Sequence, residues 1–214
     1  MRGFASVGLV LLTLGYAASP VAAGPMLSLS SPNGLSNLSV GDVVRIDVTL
    51  SGLDVGNDFI FVLNSRLLFP GSLFDPVPDP VGTSGLTPGP ILQTAGQRAS
   101  FHAVSSLSDG VVVGRFSDLF PTPSQVISQN GLYYSFLLRA EAVGSGAISF
   151  DASGNEYASV TTGFNLATLP TGGPLPFTVG PGATAVPAPP ALVLVLTGLI
   201  LIGGREVSRR RRGP

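Results

Sequence analysis

Few side chains in this sequence could carry out chemistry. His102 is the single histidine, and cysteine and tryptophan are absent. Without thiols there is no cysteine nucleophile, thiolate zinc site or iron–sulfur centre. One imidazole cannot complete a histidine-based zinc site, and no serine–histidine–aspartate set follows from spacing. His102 therefore reads as a packed or surface residue of the stretch Arg98–Val104. Carboxylates are more plentiful. Asp54, Asp58, Asp75 and Asp79 fall in turn-like stretches of the kind that supply oxygen ligands to calcium, but the spacing is neither that of an EF-hand nor that of a calcium-binding nonapeptide. They read as solvated turn residues. A glycoside hydrolase needs two carboxyl groups roughly 5–10 Å apart, and nothing in the sequence selects such a pair. Gly52-x-x-x-Gly56 is not followed by Gly-Lys-Ser/Thr, so no phosphate loop is present. No metal and no cofactor is expected.

Aromatic rings are the other chemical resource, because a flat exposed ring can stack on a sugar. In Leu132–Ala142, alternation sends Tyr134, Phe136, Leu138 and Ala140 inward. Tyr133, Ser135, Arg139 and Glu141 face water, with Leu137 out of phase. Tyr133 is thus the candidate ligand contact, with a structural role as the plainer alternative.

The elements that would position these residues are strands. Val43–Ser51 is the clearest: Val44, Ile46, Val48 and Leu50 share one face, and Arg45, Asp47 and Thr49 the other. Met26–Ser31, Phe59–Leu63, Ala99–Val104, Val111–Phe116, Ala147–Asp151, Tyr157–Thr161, Phe164–Leu169 and Pro176–Val179 are further candidates, separated by Gly, Asn, Ser and Pro. Short strands at this spacing imply an all-β, antiparallel β-sandwich or jelly roll. The stretch Pro70–Gln97 carries six prolines and suits no central strand. It reads as a long surface loop, either inert or part of a binding site.

The two ends differ from this middle part. Met1–Ala23 has Arg2, an apolar run Val7–Tyr16 and the small residues of Val21-Ala22-Ala23, the pattern of a secretory signal peptide. The domain is expected over residues 24–169. A Pro/Gly-rich linker follows over 170–190, then a charge-free transmembrane segment over 191–204 and a basic cytoplasmic tail over 205–214. Fourteen helical residues span about 21 Å, short of a hydrocarbon core near 30 Å. Snorkelling arginines and a locally thinned bilayer would make up the difference. Arg205, Arg209, Arg210, Arg211 and Arg212 fix the tail on the cytoplasmic side by the positive-inside rule and leave the domain outside. Between Gly24 and Val186 five arginines face eleven carboxylates, a net charge of −6. Such a surface repels phosphate backbones, so nucleic acid is not an expected partner.

The order Val186-Pro187-Ala188-Pro189, apolar run, Arg209-Arg210-Arg211-Arg212 resembles the PEP-CTERM sorting signal of exported bacterial proteins. The resemblance covers about thirty residues, and Ala188 stands where the commoner motif has Glu. It implies anchoring in the inner membrane, recognition near Val186–Pro189 by an exosortase-type processing enzyme, and delivery to the envelope, surface or matrix, with a link to exopolysaccharide and biofilm. Two stretches of the domain, Leu38–Leu53 with the apolar Phe59–Leu63 after it, and Gly131–Phe150, resemble cohesin-type sandwiches. That likeness implies a nine-stranded jelly roll. The Tyr/Phe-Asp-Pro usual after the third strand is replaced by Leu63-Asn64-Ser65-Arg66, which leaves dockerin binding without support. Three functions are open at this point: a non-catalytic surface or matrix protein, a carbohydrate-binding module using Tyr133 and the Pro70–Gln97 loop, and a polysaccharide-acting enzyme.

Overall fold

The computed structural model describes residues 24–78, 85–92, 97–98, 100–101, 105–117 and 126–182. Their strands form two packed sheets, antiparallel throughout except for one pair. In the first, alternation works as expected. Strand β3 (Val43–Ser51) buries Val44, Ile46, Val48 and Leu50 and exposes Val43 and Arg45. It pairs with β1 (Met26–Ser30) on one edge and with β9 (Gly131–Ala140) on the other. Two short strands, β5 (Phe74–Val77) and β6 (Thr87–Pro88), lie along the far edge of β9. Both come from the proline-rich excursion. Pro76 and Pro88 are tolerated there because, among the described residues, neither strand has a further neighbour to which an N–H would be owed.

The second sheet is built on β4 (Ile60–Leu68). One edge of β4 pairs with β8 (Val111–Ser117), beyond which lies β7 (Ser106–Ser108). The other edge is shared end to end by β11 (Glu156–Ser159) and β10 (Gly144–Phe150). Beyond β11 lies β12 (Ala167–Thr168), and beyond β10 lies β13 (Leu175–Gly180), which takes β2 (Leu38–Ser39) in parallel.

Leu63, Leu67, Val112, Phe116 and Ile148 of this sheet meet Ile46, Val48, Phe136 and Leu138 of the first in one core. Each such side chain contributes about 1.5–3 kcal/mol by leaving water. Phe74 and Phe177 close one end of the core edge-to-face, with centroids 4.8 Å apart.

Three sequence expectations need correction. Ser100 and Phe101 are helical where the stretch Ala99–Val104 was expected to be a strand, and the rest of that stretch lies outside the described residues. Phe101 still reaches the core, and tertiary packing has overridden the β-like composition of this stretch. Only Ala167–Thr168 of Phe164–Leu169 pairs, because the chain first turns through Gly163 and Phe164. Residues 170–182, assigned to the linker, belong to the sandwich. Strand β13 makes five register pairs with β10 and buries Phe177 and Val179. Pro176 suits this strand because, among the described residues, partners on its outer side begin only at Thr178, whose N–H donates to the Leu35 carbonyl, and continue with Val179 and Gly180 beside β2.

Candidate functional site

The structure turns Tyr133 away from solvent. The pairing of β3 with β9 shifts register, Val48 facing Tyr134 and Thr49 facing Leu132, so Tyr133 is the extra residue of a β-bulge. The bulge breaks the alternation and points two consecutive tyrosines inward, both with no exposed surface. Each crosses to the opposite sheet. The Tyr133 hydroxyl donates to the Leu63 carbonyl at 2.7 Å, and the Tyr134 hydroxyl shares a 2.8 Å hydrogen bond with Ser65 Oγ. Phe101 packs on both rings at 5.5 Å. Burial raises both phenol pKa values well above the ordinary 10.0. The neighbouring Tyr134 adds to the effect at Tyr133, and the Ser65 hydrogen bond partly offsets it at Tyr134. Tyr133 is therefore a tie between sheets and no ligand platform.

The carboxylates are spent locally. Asp54 holds the Asn57 amide through both oxygens at 3.2 Å. Asp58 is buried, and its Oδ1 accepts the N–H groups of Phe59 at 3.0 Å and Thr161 at 3.1 Å. Asp75 lies exposed on β5, opposite Arg139 in the register. Among the described residues no three His, Asp or Glu side chains converge as a metal site. Asp79, His102, Met1–Ala23, Val186, Pro187, Ala188, Pro189, the apolar run and Arg205, Arg209, Arg210, Arg211 and Arg212 lie outside the described residues.

An exposed aromatic ring does occur, at a position the alternation argument missed. Phe164 is 66% exposed in the turn between β11 and β12. Its ring lies almost parallel on that of Phe61, with centroids 5.0 Å apart and 12° between the planes. One face is therefore backed and the other open. Leu166 and Val160, close by in sequence, are also exposed. The turn is tightly tied. Ser159 N–H donates to Thr162 Oγ1 at 2.9 Å, Thr162 Oγ1 donates to the Ser159 carbonyl at 3.1 Å, and Phe164 N–H donates to the same carbonyl at 3.0 Å. Asp58, reaching Thr161 from the start of β4, anchors the turn to the sheet. Gly163 and Phe164 have φ of 62° and 67° in succession. That region is free to glycine but costs a side-chain-bearing residue roughly 1–2 kcal/mol. The signal in the sequence was Thr161-Thr162-Gly163-Phe164-Asn165, turn formers around one aromatic, which β-strand composition concealed.

A second surface is the outer face of β4 and β8. With Leu63, Ser65 and Leu67 inward, Asn64, Arg66 and Leu68 point outward beside Val111, Val113 and Arg115. Leu68 is 38% exposed, and Arg66 pairs with Asp151 at 3.0 Å.

This architecture is the cohesin-like β-sandwich. The type I cohesin of a cohesin–dockerin complex from Clostridium thermocellum is similar at a TM-score of 0.53 and 14% identity, over 72% of this chain and 99% of that one. The seventh ScaB type I cohesin from Pseudobacteroides cellulosolvens gives 0.55 and 14%, over 77% and 97%. A type II cohesin domain from the cellulosome of Acetivibrio cellulolyticus gives 0.51 and 11%, over 72% and 95%. No protein-family model matches the chain, and no curated protein is similar to it in sequence. At these identities the likeness defines the fold.

Proposed function

We propose that this chain is an exported, non-catalytic binding module, held by its C-terminal segment and sorted through a PEP-CTERM-type signal. The observation that carries the reading is the cohesin-like sandwich set between an export-type leader and a Pro-rich, apolar, arginine-terminated tail. In this reading the domain lies outside the cytoplasm and the tail spans the inner membrane. An exosortase-type enzyme recognises Val186–Pro189 and passes the domain to the envelope, surface or matrix, where it associates with exopolysaccharide. The net charge of −6 on the part between the two ends fits neutral matrix partners better than anionic ones. A second reading, a protein partner, is favoured by the mixed apolar and charged face around Leu68, Val111 and Arg115. It is also favoured by the cohesin–dockerin complex among the similar structures.

The test is cell fractionation in a bacterium that encodes an exosortase. Replacing Val186–Pro189 with a Gly/Ser sequence is expected to trap the chain in the inner membrane while the parent chain is released. An unchanged distribution removes the sorting reading and leaves a plain tail anchor.

A further inference from the structure

We infer that Phe164 is a preformed platform for the face of a neutral pyranose ring in a polysaccharide chain. The inference rests on the reading of this protein as a matrix-associated binding module. Three observations carry it. The first is shape: the Phe164 ring is flat against Phe61 at 12°, with its outer face open, so it offers a plane and no cleft. The axial C–H groups of a sugar carry partial positive charge and sit favourably on the negative face of an aromatic ring.

The second is charge. From Tyr157 to Gly182 there is no ionisable side chain apart from the Tyr157 phenol, and Phe164 is flanked in sequence by Thr161, Thr162 and Asn165 with Val160 and Leu166. The one carboxylate that reaches the turn, Asp58, is buried and holds backbone N–H groups. Hydroxyl and amide groups around an apolar plane match the mixed surface of an uncharged sugar and give an anion nothing to hold. The patch is also small. An aromatic side chain offers about 150–250 Å² in all. Phe164 with two aliphatic neighbours therefore falls well short of the roughly 800 Å² per partner of a stable protein complex.

The third is preorganisation. The hydrogen bonds among Ser159, Thr162, Phe164, Thr161 and Asp58 fix the turn before any ligand arrives. Little rotamer and loop freedom is then left to lose on binding. A bulky residue at φ 67° is held against its own preference, and such positions gather at sites of function. Repetition of weak contacts along one polysaccharide and among many anchored copies supplies avidity.

The experiment is affinity electrophoresis of the full chain in detergent through gels containing xylan, hydroxyethyl cellulose or dextran as neutral probes, with alginate as the anionic control. Retardation is expected in at least one neutral gel and not in alginate. Phe164→Gly, which suits the local φ and preserves the far-UV circular dichroism, is expected to weaken retardation at least tenfold. Phe164→Trp keeps or increases it. Undiminished retardation of Phe164→Gly overturns the platform while matrix association stands. If the parent chain runs freely in every neutral gel, both the platform and the polysaccharide reading fall. If Phe164 instead governs self-association in sedimentation, with no retardation, the patch is a protein contact and the inference is overturned.

Discussion

At the scale of single residues, the paired tyrosines make the fold sensitive to alkali. Both phenols are held neutral by burial, whereas in the unfolded chain they ionise near the ordinary value of 10.0. A folded-state pKa above the unfolded one gives stability that is complete below about pH 10 and is lost as pH rises beyond it. The denaturant midpoint is therefore expected to hold between pH 8 and about 9.5 and then fall steeply, with two phenols appearing in the ultraviolet titration only on unfolding. A midpoint insensitive to pH up to 12 would contradict this. Tyr133→Phe loses the bond to Leu63, a cost of roughly 0.5–1.5 kcal/mol, and flattens that alkaline slope. Beside them, Gly114 leaves room for the Tyr134 ring, which a β-carbon would overlap at Cε1. Gly114→Ala is thus an overpacking change costing about 1–3 kcal/mol, read as a lowered melting temperature. The inward Tyr134 was legible from alternation, but its buried neighbour Tyr133 was not. Strict alternation put Tyr133 outside, and the bulge that reverses it depends on how β3 and β9 align across more than eighty residues of chain.

At the scale of elements, the break between β10 and β11 along one edge of β4 is the vulnerable joint. β10 pairs with Leu67 and Leu68, and β11 takes over at Asn64, which leaves the Arg66 N–H without a strand partner. The buried Asn155 fills the gap. Its Oδ1 accepts from Arg66 N–H at 2.9 Å and its Nδ2 donates to the Asp151 carbonyl at 2.5 Å, while its own carbonyl accepts Leu169 N–H at 2.9 Å. Asn155→Ala is expected to destabilise by about 1–3 kcal/mol, because a buried backbone donor loses its partner. Faster amide exchange at Arg66 than at Leu63 would locate the effect at this joint, and uniform acceleration would refute it. Strands whose pattern is local were legible beforehand. Val43–Ser51 matches β3 residue for residue because one face is buried and the other wet. Pro176–Val179 was among the strand candidates and falls within β13, but the domain boundary was drawn ahead of it because Pro174 and Pro176 resemble a tether when their missing N–H groups cannot be assigned to an open edge. Phe164 was read as strand because the β-like run from Phe164 to Leu169 outweighed the turn formers Thr161, Thr162, Gly163 and Asn165.

At the scale of the whole molecule, the boundary of the domain lies at the end of β13 and not at Leu169. A chain ending at Leu169 loses Phe177 and Val179 from the core. Removal of a large buried aromatic alone costs about 3–5 kcal/mol, a large share of the 5–15 kcal/mol that stabilises a typical domain. Residues 24–182 are expected to unfold cooperatively with a melting temperature close to that of the full chain. Residues 24–169 are expected to lack a cooperative transition, and equal melting of the two would move the boundary back. The cohesin-like outline was legible from strand spacing and the two resembling stretches, whereas the aromatic rim came only from the fold. The placement of β13 has a mechanical consequence. In the proposed anchored state, tension entering at Gly182, two residues beyond β13, would act along the axis of this strand. The five rungs to β10 and the two to β2 are then loaded in shear together, where a perpendicular pull would peel them one at a time. A tethered copy tugged by a moving matrix would resist rupture best in the direction its own leash imposes.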